Sequence, residues 1–259
     1  MVGISTMIFI GDIAIPEGTA PLVKDLPAAF QREAVIANLE GPILRGEEIN
    51  FSGRAVYNSY HILAFLKELN IKLVSLANNH MFDAGQSTVP TAKRLLQQRI
   101  LSCGAGNDAN EAAQPVVIES GDGRVVFLAF GWETIQCKAA LKSKPGVNPL
   151  RPNHVLSSIS LAREQYPKLP IILLMHWNYE LEIYPQPMHR QLAFAAIAEG
   201  ATAVIGCHSH CVQGVEIYKG SPIVYGLGYW YLPEGHVFGR DIRFPDFAHL
   251  ELAFDWSPH

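Results

Sequence analysis

Several things are scarce in this sequence, and each scarcity excludes something. Cysteine occurs four times in 259 residues, at Cys103, Cys137, Cys207 and Cys211. That is too few, at spacings too irregular, to staple a chain of this length, so reduced thiols are expected. Basic residues are outnumbered: 20 Lys and Arg against 24 Asp and Glu leave a net charge of −4. No basic face is then expected for counterion release from phosphates, which argues against nucleic acid as a partner. Long apolar runs are also missing, since no stretch reaches the roughly 18 residues of a spanning helix. The opening MVGISTMIFIGD has no basic flank and runs into Gly11 and Asp12, so it reads as neither signal peptide nor membrane span. A cytoplasmic protein without a membrane span is the expectation.

What is present is ordinary for a globular chain, with 49% hydrophobic and 17% charged residues. At this length one domain over residues 1–259 can bury a substantial core. Neither an internal repeat nor a low-complexity segment interrupts it. Short runs rich in β-branched residues alternate with stretches of helical period. Strands are expected at 7–13, 34–39, 71–77, 100–104, 115–119, 125–131, 170–176, 202–207, 214–218, 222–227 and 248–254, and helices at 21–32, 58–70, 86–99, 154–165 and 187–199. The last helix stops at Gly200, a C-terminal signal. From about residue 200 strands follow one another through turns, which predicts mixed parallel and antiparallel pairing in an α/β fold. Loops 41–57 and 132–152 are long enough to rim a pocket.

The ends of the apolar runs share a feature. IFIGD ends in Asp12, VIANLE in Glu40, LVSLANNH in Asn79 and His80, ILLMH in His176, and AVIGCHSH in His208 and His210. Ligands in α/β sheets bind outside the carboxyl ends of strands, so parallel neighbours would bring these side chains to one region. Carboxylate, imidazole and amide donors together suit Mn, Fe or Zn rather than Ca or a thiolate site. Glu40 is long enough to bridge two ions about 3.5 to 4 Å apart. His208 and His210, at i and i+2 of an extended segment, would point the same way. A closed zinc site of Cys207, His208, His210 and Cys211 is a rival, but four ligands within five residues would crowd one tetrahedron. Asp12 alone is more usually a turn or helix-cap residue, and His176 beside Trp177 is equally a hydrogen-bonded core histidine.

The succession GDIAI, NLEGPI, SLANNHMFDAG, GAGNDANEAAQP, HWNYE, AVIGCHSHCVQGVE and IVYGLG, spread in order over residues 9–230, resembles the CapA family of bacterial capsule (poly-γ-glutamate) synthesis proteins. That family is similar to the calcineurin-like metallophosphatases. The resemblance implies a four-layer α-β-β-α sandwich with mixed sheets and a divalent metal site of one or two ions. Asp12, Glu40 and His210 would hold one ion, Glu40, Asn79, His176 and His208 the other, with Glu40 as the bridge. His80 would assist the leaving group, and Glu180 would orient a ligand or meet a cationic group. The implied activity is metal-dependent hydrolysis, by a metal-activated water, of a phosphoester or of a glutamyl amide or isopeptide bond, with a small-molecule or polyglutamate-like substrate. Two other functions remain: a non-catalytic component of capsule polymer synthesis or export, and a binding protein walled by Trp177, Tyr179, Tyr184, Tyr229 and Trp230. Residues Arg54 and Lys24 would concentrate positive potential for an anionic substrate. The family pattern is broken at Ala14 (histidine expected), Ser209 (proline), Asn178 (glycine) and Tyr229-Trp230 (Asn-Phe). Oligomeric state leaves no mark on the sequence.

Overall fold

The structure is a computed structural model and describes residues 6–19, 26–49, 55–85, 88–120 and 123–257. In the first half of the chain lie β1 (Met7–Ile13), β2 (Ala34–Leu39), helix α1 (Ile62–Glu68), β3 (Ile71–Ser75), α2 (Thr88–Gln97), β4 (Leu101–Cys103), β5 (Val116–Ser120) and β6 (Gly123–Gly131). The second half adds α3 (Pro152–Gln165), β7 (Ile171–His176), α4 (Pro187–Glu199), β8 (Ala203–Cys207), β9 (Val215–Tyr218), β10 (Ser221–Val224), β11 (Tyr229–Tyr231) and β12 (Phe254–Trp256).

Two six-stranded sheets result. One runs β11-β1-β2-β3-β4, with β12 also on β1, and the other runs β9-β10-β8-β7-β6-β5. Pairing along β11-β1-β2-β3-β4 is parallel while β12 is antiparallel to β1. In the second sheet β6, β7, β8 and β10 are parallel, and the edges β5 and β9 are antiparallel. Both sheets are therefore mixed, as the sequence led us to expect. Every residue of β1, β2 and β7 is buried, the mark of strands covered on both faces. α1 and α2 pack on the first sheet and α3 and α4 on the second. Between the sheets one apolar cluster extends from Phe9 to Phe127, whose rings lie 6.2 Å apart. This is the α-β-β-α sandwich.

Boundaries moved where side chains found other partners. The segment expected to be helical from 58 instead pairs Asn58–Ser59 with Ile43–Leu44, and its helix starts at Ile62. Of the expected helix 21–32, residues 26–32 are described and the helix there is the single turn Ala29–Arg32, while 21–25 lie outside the described residues. The strand expected at 248–254 is displaced. Despite its alternation, 249–253 forms no strand, although Leu252 N–H donates to Leu227 O at 3.2 Å, and the chain pairs with β1 at Phe254–Trp256. α4 begins at Pro187 and stops at Gly200, whose φ of 116° is left-handed, as a C-terminal glycine allows.

Residues 225–228 carry the chain from the second sheet to the first and tie the two together at their strand ends. Leu227 N–H donates to Gly206 O at 3.1 Å, and Asp12 N–H donates to Gly228 O at 3.3 Å. The approach requires glycine on both sides: a Cβ on Gly11 would sit 2.0 Å from Gly228 O, and one on Gly206 2.0 Å from Tyr225 O. Gly11→Ala should therefore cost about 2 kcal/mol, within the range for forced overpacking, and lower Tm by about 5 °C. Calorimetry measures this, and an unchanged Tm would contradict the packing account.

The segment after β7 is held from beneath by a buried polar group. Asn178, left-handed at φ 67°, donates through Nδ2 to Gln213 Oε1 at 3.0 Å. Its Oδ1 accepts from Gln186 N–H at 2.9 Å and from His189 Nδ1 at 2.8 Å. His189 is fully buried, and its ring stacks on Trp177. With Nδ1–H given to Asn178, Nε2 faces no partner, so the ring is suited to the neutral state. Burial lowers its pKa to about 4. Because the folded value lies below the ordinary 6.5, the unfolded chain takes up the proton first. The stabilisation is complete above about pH 6.5 and is lost as pH falls towards 4, about 3 kcal/mol in all. His189→Gln should flatten the decline of unfolding free energy across that window. An identical pH slope in both proteins would refute this role for His189.

Candidate metal centre

The carboxyl ends of both sheets meet at one place, and the sequence-predicted residues converge there. Asp12, in the last turn of β1, is fully buried. Its Oδ1 accepts from Asn38 Nδ2 at 2.8 Å, and its Oδ2 from His208 N–H at 3.1 Å and His210 Nδ1 at 2.9 Å. Glu40 follows β2, with 2% exposure. Its Oε1 lies 3.5 Å from His176 Nε2, and its Oε2 lies 4.0 Å from His210 Nε2. His176 closes β7, and its Nε2 stands 2.8 Å from Asn79 Oδ1. The His176 and His208 rings are 4.7 Å apart. Two three-residue groups result, Glu40-His176-His208 and Asp12-Glu40-His210, each with its ligand atoms within 4.8 Å of one another. Glu40 belongs to both.

His208 and His210 reach the site by a route other than the expected extended one. Both are left-handed, at φ 92° and φ 53°, so the turn after β8 sends His208 into one group and His210 into the other. Non-glycine residues held there cost of order 1–3 kcal/mol each and cluster at functional sites. The bond from His208 N–H to Asp12 helps to hold the turn.

Three buried asparagines that the motif reading passed over fix the ligand backbones. Asn38 orients Asp12. Asn58 donates through Nδ2 to Glu40 O at 2.7 Å and accepts from Ile15 N–H at 2.8 Å. Asn78, next to the ligand candidate Asn79, donates to Leu39 O at 2.7 Å and accepts from Gly41 N–H at 3.2 Å. Glu40 is thus held on both flanks. Asp83 is the other omission. Its Oδ2 lies 2.7 Å from His80 Nδ1 and accepts from Val56 N–H at 3.0 Å, while His80 Nε2 sits 3.1 Å from Asn79 Nδ2. The signal was present as HMFD, in which the acid three residues on returns to the histidine within one turn.

The electrostatics are those of a site short of positive charge. Burial and the adjacent Asp12 carboxylate raise Glu40 to about 7. Burial opposes a charge on His210, but Glu40 and Asp12 outweigh it and raise that ring to about 9. His176 and His208 are pushed well below the usual range, by burial first and then by neighbouring imidazoles, so both rings are neutral. Burial likewise opposes a charge on His80, yet its bond to Asp83 and the nearby Glu40 raise it. Glu40 Oε1, His176 Nδ1 and His208 Nδ1 are buried without hydrogen-bond partners. Two carboxylates, neutral imidazoles and orphaned donor atoms in a space this small fit a divalent cation.

Ala14, where the resemblance leads one to expect histidine, points elsewhere. It is buried with Val56 and Phe238 in a separate apolar cluster. The thiols are no part of the ligand groups among the described residues; Cys211 packs with Tyr229 and Ala248. Of the aromatic residues proposed as pocket walls, Tyr179 lines the cleft, Trp177 is wholly buried, Tyr184 projects into solvent, and Trp230 stacks on Phe30. Residues Arg54 and Lys24 lie outside the described residues. The cleft over the cluster has a volume of about 790 Å³ and is bounded by Ala55 and by Thr134, Gln136 and Lys138, so both long loops contribute to its rim. A smaller cavity of about 200 Å³ adjoins it under residues 232–244. No helix among the described residues is long and apolar enough to cross a membrane.

Known proteins bear on this geometry in two ways. The fold resembles a 5'-nucleotidase precursor from Thermus thermophilus, with a TM-score of 0.54 and 14% identity over 97% of this chain and 53% of that one. The likeness is one of fold. In sequence the chain is 26% identical to the PGA biosynthesis protein CapA of Bacillus subtilis (strain 168) over 248 residues, 90% of this chain and 64% of the relative. It is 27% identical to the capsule biosynthesis protein CapA of Bacillus anthracis, over 91% of this chain and 62% of the relative. The chain thus spans less than two thirds of the length of these relatives. Residues 6–231 match the family model described as bacterial capsule synthesis protein PGA_cap, and the chain belongs to that family.

Proposed function

We propose that this chain is a divalent-metal-dependent hydrolase with two cation positions sharing Glu40. The observation that carries the reading is the pair of buried ligand groups joined at that one carboxylate. Asp12, Glu40 and His210 would hold one ion, and Glu40, Asn79, His176 and His208 the other. Mn, Fe or Zn bound there would supply Lewis acidity and an activated water for attack. Asn79 fits its place because its Oδ1 already faces His176 Nε2. The substrate is a phosphoester or a glutamyl amide or isopeptide. The nucleotidase fold favours the first, and the names of the capsule relatives favour the second.

The chain's own acid is His80. Asp83 holds Nδ1 and fixes the ring, leaving Nε2 towards Asn79 and the cleft. At rest Nε2 accepts from Asn79 Nδ2; a proton taken up there once substrate displaces that bond would be placed to pass to a departing alkoxide or amine. Asp83 acts through His80 as a positioning residue.

In Mn-reconstituted protein, Glu40→Ala should empty both positions and abolish turnover of model phosphodiesters or γ-glutamyl amides, whereas His210→Ala should empty one position. Metal content by plasma mass spectrometry checks both variants, and full metal with full activity in Glu40→Ala would sink the proposal. His80→Ala should lower kcat about 100-fold on substrates with poor leaving groups, the scale of general-acid contributions. It should matter little for nitrophenyl esters, whose leaving group needs no proton. Equal losses on both substrate types would remove His80 from that role.

A further inference from the structure

Arg240 stands apart from the arginines whose partners are visible. Arg94, Arg151 and Arg190 each hold a glutamate at 2.6 Å, and Arg163 donates to the carbonyls of Tyr166, Pro167, Leu169 and Gly200. Arg240 is half-buried, its Nε is shielded from solvent without a hydrogen-bond partner, and among the described residues no carboxylate pairs with it. It lies on the short hairpin that pairs Gly235–Val237 with Arg240–Ile242 and lines both the large cleft and the adjoining cavity. On the same cleft Lys138 rests against the Phe82 ring, with Nζ 5.9 Å from its centroid. Its backbone is fixed by Val147 N–H donating to Lys138 O at 2.9 Å, and among the described residues no carboxylate pairs with it either. Glu180 lines the same two cavities without a salt bridge to either cation.

Two cations without a carboxylate partner among the described residues, both lining one cleft of about 790 Å³, leave room for more than one small anion; ligand sites span roughly 300–1,000 Å³. We infer that Lys138 and Arg240 form an oxyanion subsite that receives a second carboxylate or phosphate of the substrate, distal to the group at the metal cluster. The inference rests on the hydrolase reading for the first anion's place. It makes the substrate a molecule with at least two anionic groups.

The test is calorimetric binding to Mn-reconstituted protein, with a γ-linked glutamate trimer and a hexose bisphosphate as multi-anion probes and inorganic phosphate as the one-anion control. Arg240→Gln and Lys138→Gln should each weaken a multi-anion probe about ten-fold, the scale of one charge-assisted hydrogen bond. Arg240→Lys should recover part of the loss. Bound Mn and phosphate affinity should stay within about two-fold of wild type, which also verifies folding. A loss confined to the trimer assigns a carboxylate, and one confined to the bisphosphate assigns a phosphate. Unchanged affinity for both probes, equal weakening of inorganic phosphate, or no binding of either probe by wild type would overturn the subsite. The two readings fail separately: Arg240-dependent binding without any turnover refutes the hydrolase, and His80-dependent turnover with normal probe binding in Arg240→Gln refutes the subsite.

Discussion

The buried carboxylate of Asp12 is the interaction on which the rest depends. It has no exposed surface, and it accepts from Asn38 on its own sheet and from His208 and His210 beyond a strand of the other. A carboxylate so placed costs several kcal/mol to dehydrate and is stable only when its lone pairs are filled. Meeting that requirement draws donors from both sheets, sets the left-handed turn at 208–210, and turns the two histidines towards different sides of Glu40. Residues 225–228 reinforce the same junction through backbone bonds to Gly206 and Asp12.

Around this junction three buried amides serve structure. Asn38, Asn58 and Asn78 bond backbone or carboxylate and hold Glu40 from both flanks. Of the five buried side-chain atoms left without a partner among the described residues, three, Glu40 Oε1, His176 Nδ1 and His208 Nδ1, belong to the candidate ligand groups. Incomplete polar satisfaction gathered in this way in a well-packed core is expected of functional sites rather than of poor folding. At position 14 apolar packing with Val56 and Phe238 takes the place of an imidazole, and Asp12, Glu40 and His210 still converge.

The strand-end cluster was legible because parallel strands read as apolar runs, and a charged or imidazole residue at the end of such a run is conspicuous. The alternation of strands and helices, the helix at 187–199 and its stop at Gly200 were legible for the same reason of period and punctuation. The supporting asparagines were not, since a buried Asn bonding backbone has the same sequence signature as one in a surface turn. The route of His208 and His210 was misread because the left-handed turn answers to Asp12, some 196 residues away in sequence. Arg240 was missed because its hairpin is short and half-exposed, with no apolar period to announce it. Strand 248–254 was misplaced because alternation alone does not supply an edge to pair with.

The central claim is that one carboxylate serves two cation positions. Anomalous diffraction from crystals of the Mn-loaded protein tests it most directly. The account predicts two peaks about 3.5 to 4 Å apart, as in two-metal sites, one beside Asp12 and His210 and one beside Asn79, His176 and His208, with Glu40 ligating both. A single peak, or two peaks that Glu40 does not join, would contradict it.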